Sequence, residues 1–139
     1  MIFCSGRKLD LSSPVIMGVL NVTPDSFFPG SRYLGGVTAV EAAIRMLDWG
    51  ASIIDIGGES SRPGAEKVSI GEEISRVVPV IRQLRNRRPD AVISVDTYNS
   101  ETARLALSEG ADIVNDITGL SSEEMIHVIS ENYAAVIIM

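Results

Sequence analysis

The sequence predicts an α/β fold of the (β/α)8, or TIM, barrel class, of which only about the first five βα units are present. Three observations point there. Short apolar runs at residues 15–20, 52–56, 91–95, 112–114 and 134–139 lack polar alternation, as strands buried on both faces of a parallel sheet do. Segments of helical period lie between them. The run Gly-Ala-Ser-Ile-Ile-Asp at 50–55 is echoed by Gly-Ala-Asp-Ile-Val-Asn at 110–115, sixty positions on, which is the length of two βα units of ~30 residues.

Each element has its own signal. After the first strand, Val40, Ala43, Ile44 and Leu47 recur at helical spacing up to Gly50, which suits the C′ position of a helix. The second strand leads into Gly-Gly-Glu-Ser-Ser-Arg-Pro-Gly-Ala at 57–65. The next helix carries Ile74, Val77, Val78, Ile81 and Leu84 on one side and opens with a capping box, Ser69 and Glu72. Pro79 predicts a kink there, or a helix that starts later. Ser121 and Glu124 predict a second capping box before Met125, Val128 and Ile129.

Repeated βα units build an open doubly wound sheet or a barrel. The barrel is favoured because no G-x-G-x-x-G follows the first strand. Polar residues also follow the strands: Asn21, Asp55 with Glu59, Asp96, and Asn115 with Asp116. In a barrel those ends converge on one mouth. A complete barrel takes roughly 250 residues. The 139-residue chain is therefore expected to be the amino-terminal part of a single barrel domain, cut in its fifth strand and leaving one sheet edge unpaired.

Composition narrows the function. With 45% apolar and 22% charged residues the chain is of ordinary globular type rather than disordered. A net charge of −6, with basic residues clustered only at Arg82, Arg85, Arg87 and Arg88, counts against nucleic acid and anionic membranes as partners. The single cysteine, Cys4, excludes an internal disulfide. No segment reads as a membrane span or signal peptide, so the expected location is cytoplasmic. His127, Trp49 and the arginine run read as surface or packing residues, the arginines as a solvated helix face.

The loops after the first two strands carry the chemistry. Asn21 offers an amide oxygen, a hard ligand suited to Mg²⁺, which takes few protein ligands and completes its shell with water and phosphate. Pro24 stiffens the turn and Asp25 sets a carboxylate over the mouth. The alternative is a plain Thr-Pro-Asp turn without a ligand. Gly57, Gly58, Ser60, Ser61 and Arg62 supply donors for a phosphate or carboxylate, the alternative being a glycine-rich connection with Arg62 in a surface ion pair. Asp55 either lines the mouth or ties the second loop down.

Four motifs stand together: M-G-V-L-N-V-T-P-D-S-F at 17–27, I-I-D-I-G-G-E-S-S-R-P-G-A at 53–65, I-S-V-D-T at 93–97 and I-V-N-D-I at 113–117. In order and spacing the chain resembles the amino-terminal half of the dihydropteroate synthases, folate-pathway enzymes of the pterin-binding barrel family. The resemblance implies a transfer in which the amine of 4-aminobenzoate displaces diphosphate from a dihydropterin-methyl diphosphate, with Mg²⁺ on the diphosphate. It implies that Asn21 binds Mg²⁺ and diphosphate, and that Asp25 steadies the positive charge left as diphosphate departs. Ser61 and Arg62 would meet diphosphate and the aminobenzoate, while Asp96 and Asn115 would hold the pterin. A flat heterocycle with an amino-oxo edge needs side chains that accept and donate, and Asp plus Asn supply them.

The resemblance further implies a homodimeric full-length parent, and an inactive fragment, because the family's remaining pterin and diphosphate contacts lie in the second half. After Ser26 the chain departs from the family pattern, running Phe-Phe-Pro-Gly-Ser-Arg, and Arg32 there adds a possible anion contact. Two other readings stay open. A methyltetrahydrofolate-dependent methyltransferase would share the ring-holding positions but needs no diphosphate loop. A non-enzymatic remnant would need none of the site.

Overall fold

A computed structural model of the chain describes residues 2–4, 6–23, 38–59 and 68–139. It begins with a feature that the periodicity did not predict, an antiparallel hairpin of β1 (Ile2–Cys4) and β2 (Arg7–Leu9), with Gly6 at φ 84° in its turn. Five parallel strands follow: β3 (Met17–Asn21), β4 (Ile53–Gly57), β5 (Val92–Asp96), β6 (Ile113–Asp116) and β7 (Ala135–Ile138). They are joined in spatial order β3-β4-β5-β6-β7. Helices α1 (Ala39–Asp48), α2 (Ile70–Arg87), α3 (Ser100–Ser108) and α4 (Glu123–Glu131) alternate with them. Each strand pairs with the next in sequence and the order never reverses, which is the winding of a barrel rather than of a doubly wound sheet.

The expected strands are all present, but several end later than the apolar runs do. Asn21, Asp96, Asn115 and Asp116 lie inside the ladder instead of after it, with Asn21 opposite Gly57, Gly57 opposite Asp96, and Asp96 opposite Asn115. Polar side chains are admitted there because the mouth of the sheet gives them partners or room.

Capping explains the starts of α1, α2 and α4, whereas Asn99 at the start of α3 makes no side-chain cap. At α1 the box is complete: Glu41 N–H donates to Thr38 Oγ1 at 3.2 Å and Thr38 N–H to Glu41 Oε2 at 3.0 Å. At α2 only half of the expected box forms. Ser69 Oγ accepts from Glu72 N–H at 3.3 Å, but the Glu72 carboxylate turns to Arg76, one turn on. The third box is displaced by one residue. Ser122 caps α4 through Met125 N–H at 3.3 Å, while Ser121 donates to Thr118 Oγ1 at 3.1 Å. Helix α2 runs from Ile70 through Pro79, whose ring is exposed, so it does not start late.

The two faces of the sheet differ. Leu20, Ile54, Ile56, Ile93, Val95 and Val114 pack against the helices with Ala43, Val77, Ile81 and Met125. The opposite face, the barrel interior, has an apolar floor of Ile53, Val92 and Ile113 covered by Leu9 of the hairpin. A cavity of about 160 Å³ lies beside that floor, bounded by Leu9, Leu11, Ile53, Ile113 and Ile137. β3 and β7 are the outer strands, and Val19 on β3 is 54% exposed.

The hairpin is latched to the sheet at the end opposite the mouth. Asp112, fully buried, accepts from Arg7 Nη1 at 2.6 Å, Arg85 Nη2 at 2.7 Å and Ile93 N–H at 2.9 Å. Arg85 also donates to the carbonyls of Gly110 at 2.7 Å and Ala91 at 2.8 Å. The solvated-face reading of the arginine run therefore fails at Arg85, which is half-buried against the carbonyls that take its donors. Arg82 and Arg88 pair at the surface with Glu109 and Asp48. His127 is a surface residue, and Trp49 is exposed rather than packed. The repeat is real in three dimensions: Gly50 and Gly110 end their helices at φ 103° and 105°.

Candidate active site

Side chains on a strand alternate between faces, so residues 21, 57, 96 and 115, which pair across the sheet, all face the interior at the mouth. One row below lie Val19, Asp55 and Ser94, also in register, with Ile113 next to Ser94. The chain thus builds an apolar floor, then a polar row, then a polar rim.

Asn115 links the rows by donating from Nδ2 to Asp55 Oδ2 at 3.0 Å. Neither residue is then satisfied. Asp55 Oδ1, Asn115 Oδ1 and Ser94 Oγ are buried and, among the described residues, have no partner. A buried polar atom left unpaired costs about 1–3 kcal/mol, and such atoms at a mouth mark where a ligand or ordered water completes the set. Asp55 therefore lines the interior and holds Asn115; it makes no hydrogen bond to the second loop among the described residues. Asp116, by alternation, faces the helices, where its Oδ1 accepts from Thr118 N–H and Oγ1, both at 2.7 Å.

Asp96 is the group whose acidity the site changes most. Its pKa is pushed up to about 6, first by burial and then by the carboxylates of Asp55, Glu73, Glu59 and Asp116. An electronegative recess of acceptors suits a ligand that offers N–H donors, and a carboxyl near pH 6 can be proton donor or acceptor near neutrality. Gly57 keeps the recess open. A Cβ on it would lie 3.3 Å from Asp96 Oδ2 and 3.4 Å from Asn21 Oδ1.

The root of the second loop is held rigidly. Arg76 Nη1 donates to the Gly58 carbonyl at 2.7 Å, and a Cβ on Gly58 would meet Glu73 Cγ at 3.1 Å. Buried Glu73 accepts from Asn99 Nδ2 at 2.8 Å and Thr102 Oγ1 at 2.7 Å, joining α2 to α3. Tyr98 Oη donates to Glu59 Oε2 at 3.2 Å across the mouth.

Of the residues predicted from sequence, the structure brings Asn21, Asp96 and Asn115 together on one rim. Asp25, Ser61 and Arg62 lie outside the described residues. Sequence reasoning missed Ser94 and Glu73. Each had a signal: a lone hydroxyl inside Val-Ile-Ser-Val, and an acid in line with Val77, Ile81 and Leu84 on the apolar stripe of α2. For a metal, the described residues hold no group of three or more His, Cys, Asp or Glu able to bind one. Asn21 Oδ1 beside the Gly57 gap is compatible with Mg²⁺ held by a single protein oxygen, the rest coming from water and phosphate.

The model of the pterin binding enzyme family matches residues 17–139. Dihydropteroate synthase of Escherichia coli (strain K12) is 45% identical over 138 residues, covering 99% of this chain and 49% of that protein. The chain spans about half the length of most of the curated relatives it matches, and 15% of one bifunctional relative. Among solved structures, Xanthomonas albilineans dihydropteroate synthase with 4-aminobenzoic acid superposes with a TM-score of 0.83 at 41% identity, over 96% of this chain and 49% of that one. The same organism's enzyme in complex with 7,8-dihydropteroate gives 0.81 at 36% identity, over 96% and 48%.

Proposed function

The chain belongs to the pterin binding enzyme family, and from that premise we propose that it forms the amino-terminal half of a dihydropteroate synthase. The reaction is condensation of 4-aminobenzoate with (7,8-dihydropterin-6-yl)methyl diphosphate to 7,8-dihydropteroate and diphosphate. The observation that carries this reading is the polar recess at the mouth, where buried Asn115 Oδ1 lacks a partner beside Asp96. A pterin brings the matching N–H groups and a flat ring that fits between strand ends.

In this reading Asp96 and Asn115 hold the pterin ring and fix its methylene carbon at the mouth. The aminobenzoate nitrogen forms the new carbon–nitrogen bond as the carbon–oxygen bond breaks, diphosphate leaving with the electron pair and the amine proton passing to solvent. Asn21 would hold Mg²⁺, which when bound neutralises charge on the departing diphosphate. Asp25 steadies the cationic carbon, and Ser61 and Arg62 bind diphosphate and the aminobenzoate carboxylate. The resemblance also supports a homodimer working in the cytoplasm. Among the described residues no helix is long and apolar enough to cross a membrane.

The test is diphosphate release by the full-length protein. Release that requires both 4-aminobenzoate and the dihydropterin diphosphate, with dihydropteroate formed in equal amount, is expected. Methyl transfer from methyltetrahydrofolate with no diphosphate release would overturn the reading.

A further inference from the structure

An asparagine amide can be turned over with little change in shape, which exchanges its acceptor and its donor. At Asn115 that freedom is removed. The Nδ2 group faces Asp55 Oδ2 at 3.0 Å, and both residues are almost wholly buried, Asp55 at 2% and Asn115 at 4% exposed. In the reverse orientation two acceptor oxygens would face each other in a recess that also holds Asp96. One Nδ2 hydrogen is used by Asp55. The other hydrogen and the unpartnered Oδ1 form the edge left for a ligand.

We propose that Asp55 is a positioning residue that locks the Asn115 amide and thereby makes the site choose rings whose edge sets an amino N–H against Oδ1 and a ring nitrogen acceptor against the Nδ2 hydrogen. The inference rests on the pterin reading of the site. It goes beyond that reading by assigning the discrimination between an amino-substituted and an oxo-substituted ring to a residue that does not itself touch the ring. In the oxo ring the order along the edge is exchanged, carbonyl oxygen in place of amino and N–H in place of ring nitrogen. A locked amide meets it oxygen to oxygen and hydrogen to hydrogen, whereas a free amide turns over and accepts it.

The packing supports the assignment. Asp55 is held from one side by its place in β4, opposite Val19 and Ser94. It stands where Asn115 stands in the second copy of the repeat, sixty residues on. The repeat thus supplies both the reading residue and its lock.

The experiment measures, by calorimetry on the full-length protein, the affinities of 6-hydroxymethylpterin and of its analogue with oxo in place of the ring amino group. The native protein should prefer the pterin by ~100-fold, since a buried site made for a hydrogen bond rejects the ligand that cannot return it. In Asp55→Ala the ratio should fall to within about tenfold, the oxo ring gaining while the pterin loses. Asp55→Asn keeps the shape and accommodates either orientation of Asn115, so it should give a ratio between the two; it decides the matter alone if the alanine variant does not fold. Equal weakening of both rings, with the native ratio kept, would mean that Asp55 only supports the fold, and the inference fails. If the native protein binds neither ring, the pterin reading fails first and takes the inference with it.

Discussion

Asn21 Oδ1 and Asp96 Oδ2 close in on the α-carbon of Gly57 from the two neighbouring strands, where a side-chain carbon would lie 3.4 and 3.3 Å from them. The gap is the point at which the oxygen proposed for the metal and the carboxyl proposed for the ring share space. Gly57→Ala should displace both oxygens by a few tenths of an ångström while leaving β4 paired. The expected result is about tenfold weaker pterin binding in the full-length protein with a loss of stability under about 1 kcal/mol, read by calorimetry and by denaturant unfolding.

Asp96 links the site to pH. An ordinary aspartate ionises near 3.8, but in the fold this one titrates at about 6. Between those values the folded state holds the extra proton, so this group's contribution to stability is present below about pH 4 and lost as pH rises through about 6. Asp96→Asn should remove that slope. Unfolding measured at about pH 8 should show the variant about 1–2 kcal/mol more stable than native, once partial solvent screening is allowed for, with no gain at about pH 4. Pterin binding by the same variant should weaken, which marks a residue kept for its chemistry at the expense of stability.

The latch lies at the end of the sheet opposite the mouth, where it ties the hairpin to β5, β6 and α2. Asp112, fully buried, takes hydrogen bonds from Arg7, Arg85 and Ile93, and removing it leaves the half-buried Arg85 without its anion and the Ile93 N–H without its acceptor. Asp112→Ala should lower the unfolding free energy by about 3–5 kcal/mol and free the hairpin, detectable as faster amide exchange in Arg7–Leu9.

The five parallel strands and helices α1, α2 and α4 were legible in the sequence because each follows from periodicity or from a cap, whereas α3, which has no side-chain cap, was marked only by the repeat that ends it at Gly110. The run at 92–95 is buried on both faces, and the Gly50 and Gly110 ends are set by glycines at positive φ. What was not legible depended on partners distant in sequence. Arg85 looks like any solvated arginine until Asp112 and the Gly110 carbonyl fold against it, and Leu9 reveals itself as floor only once Ile53, Val92 and Ile113 lie beneath. At the site, Asn21, Asp96 and Asn115 could be read from strand ends, but the Asp55 bond to Asn115 could not, because spacing says nothing about which way an amide faces.

Asp25 should act on the chemical step rather than on binding. A carboxylate that meets charge only as the carbon–oxygen bond breaks contributes selectively to the transition state. In the full-length protein Asp25→Asn should lower kcat by about 100-fold or more with little change in pterin diphosphate affinity. Retained kcat with lost affinity would assign Asp25 to ground-state binding.

The most direct test of the account is calorimetric titration of a pterin without phosphate into the full-length native protein, Asn115→Ala and Arg62→Ala. If the mouth of the sheet is the ring site and the second loop serves the anions, Asn115→Ala should weaken the simple pterin by about 1–3 kcal/mol, while Arg62→Ala leaves it unchanged and weakens diphosphate instead. Equal losses of simple-pterin affinity in the two variants would contradict that division of the site.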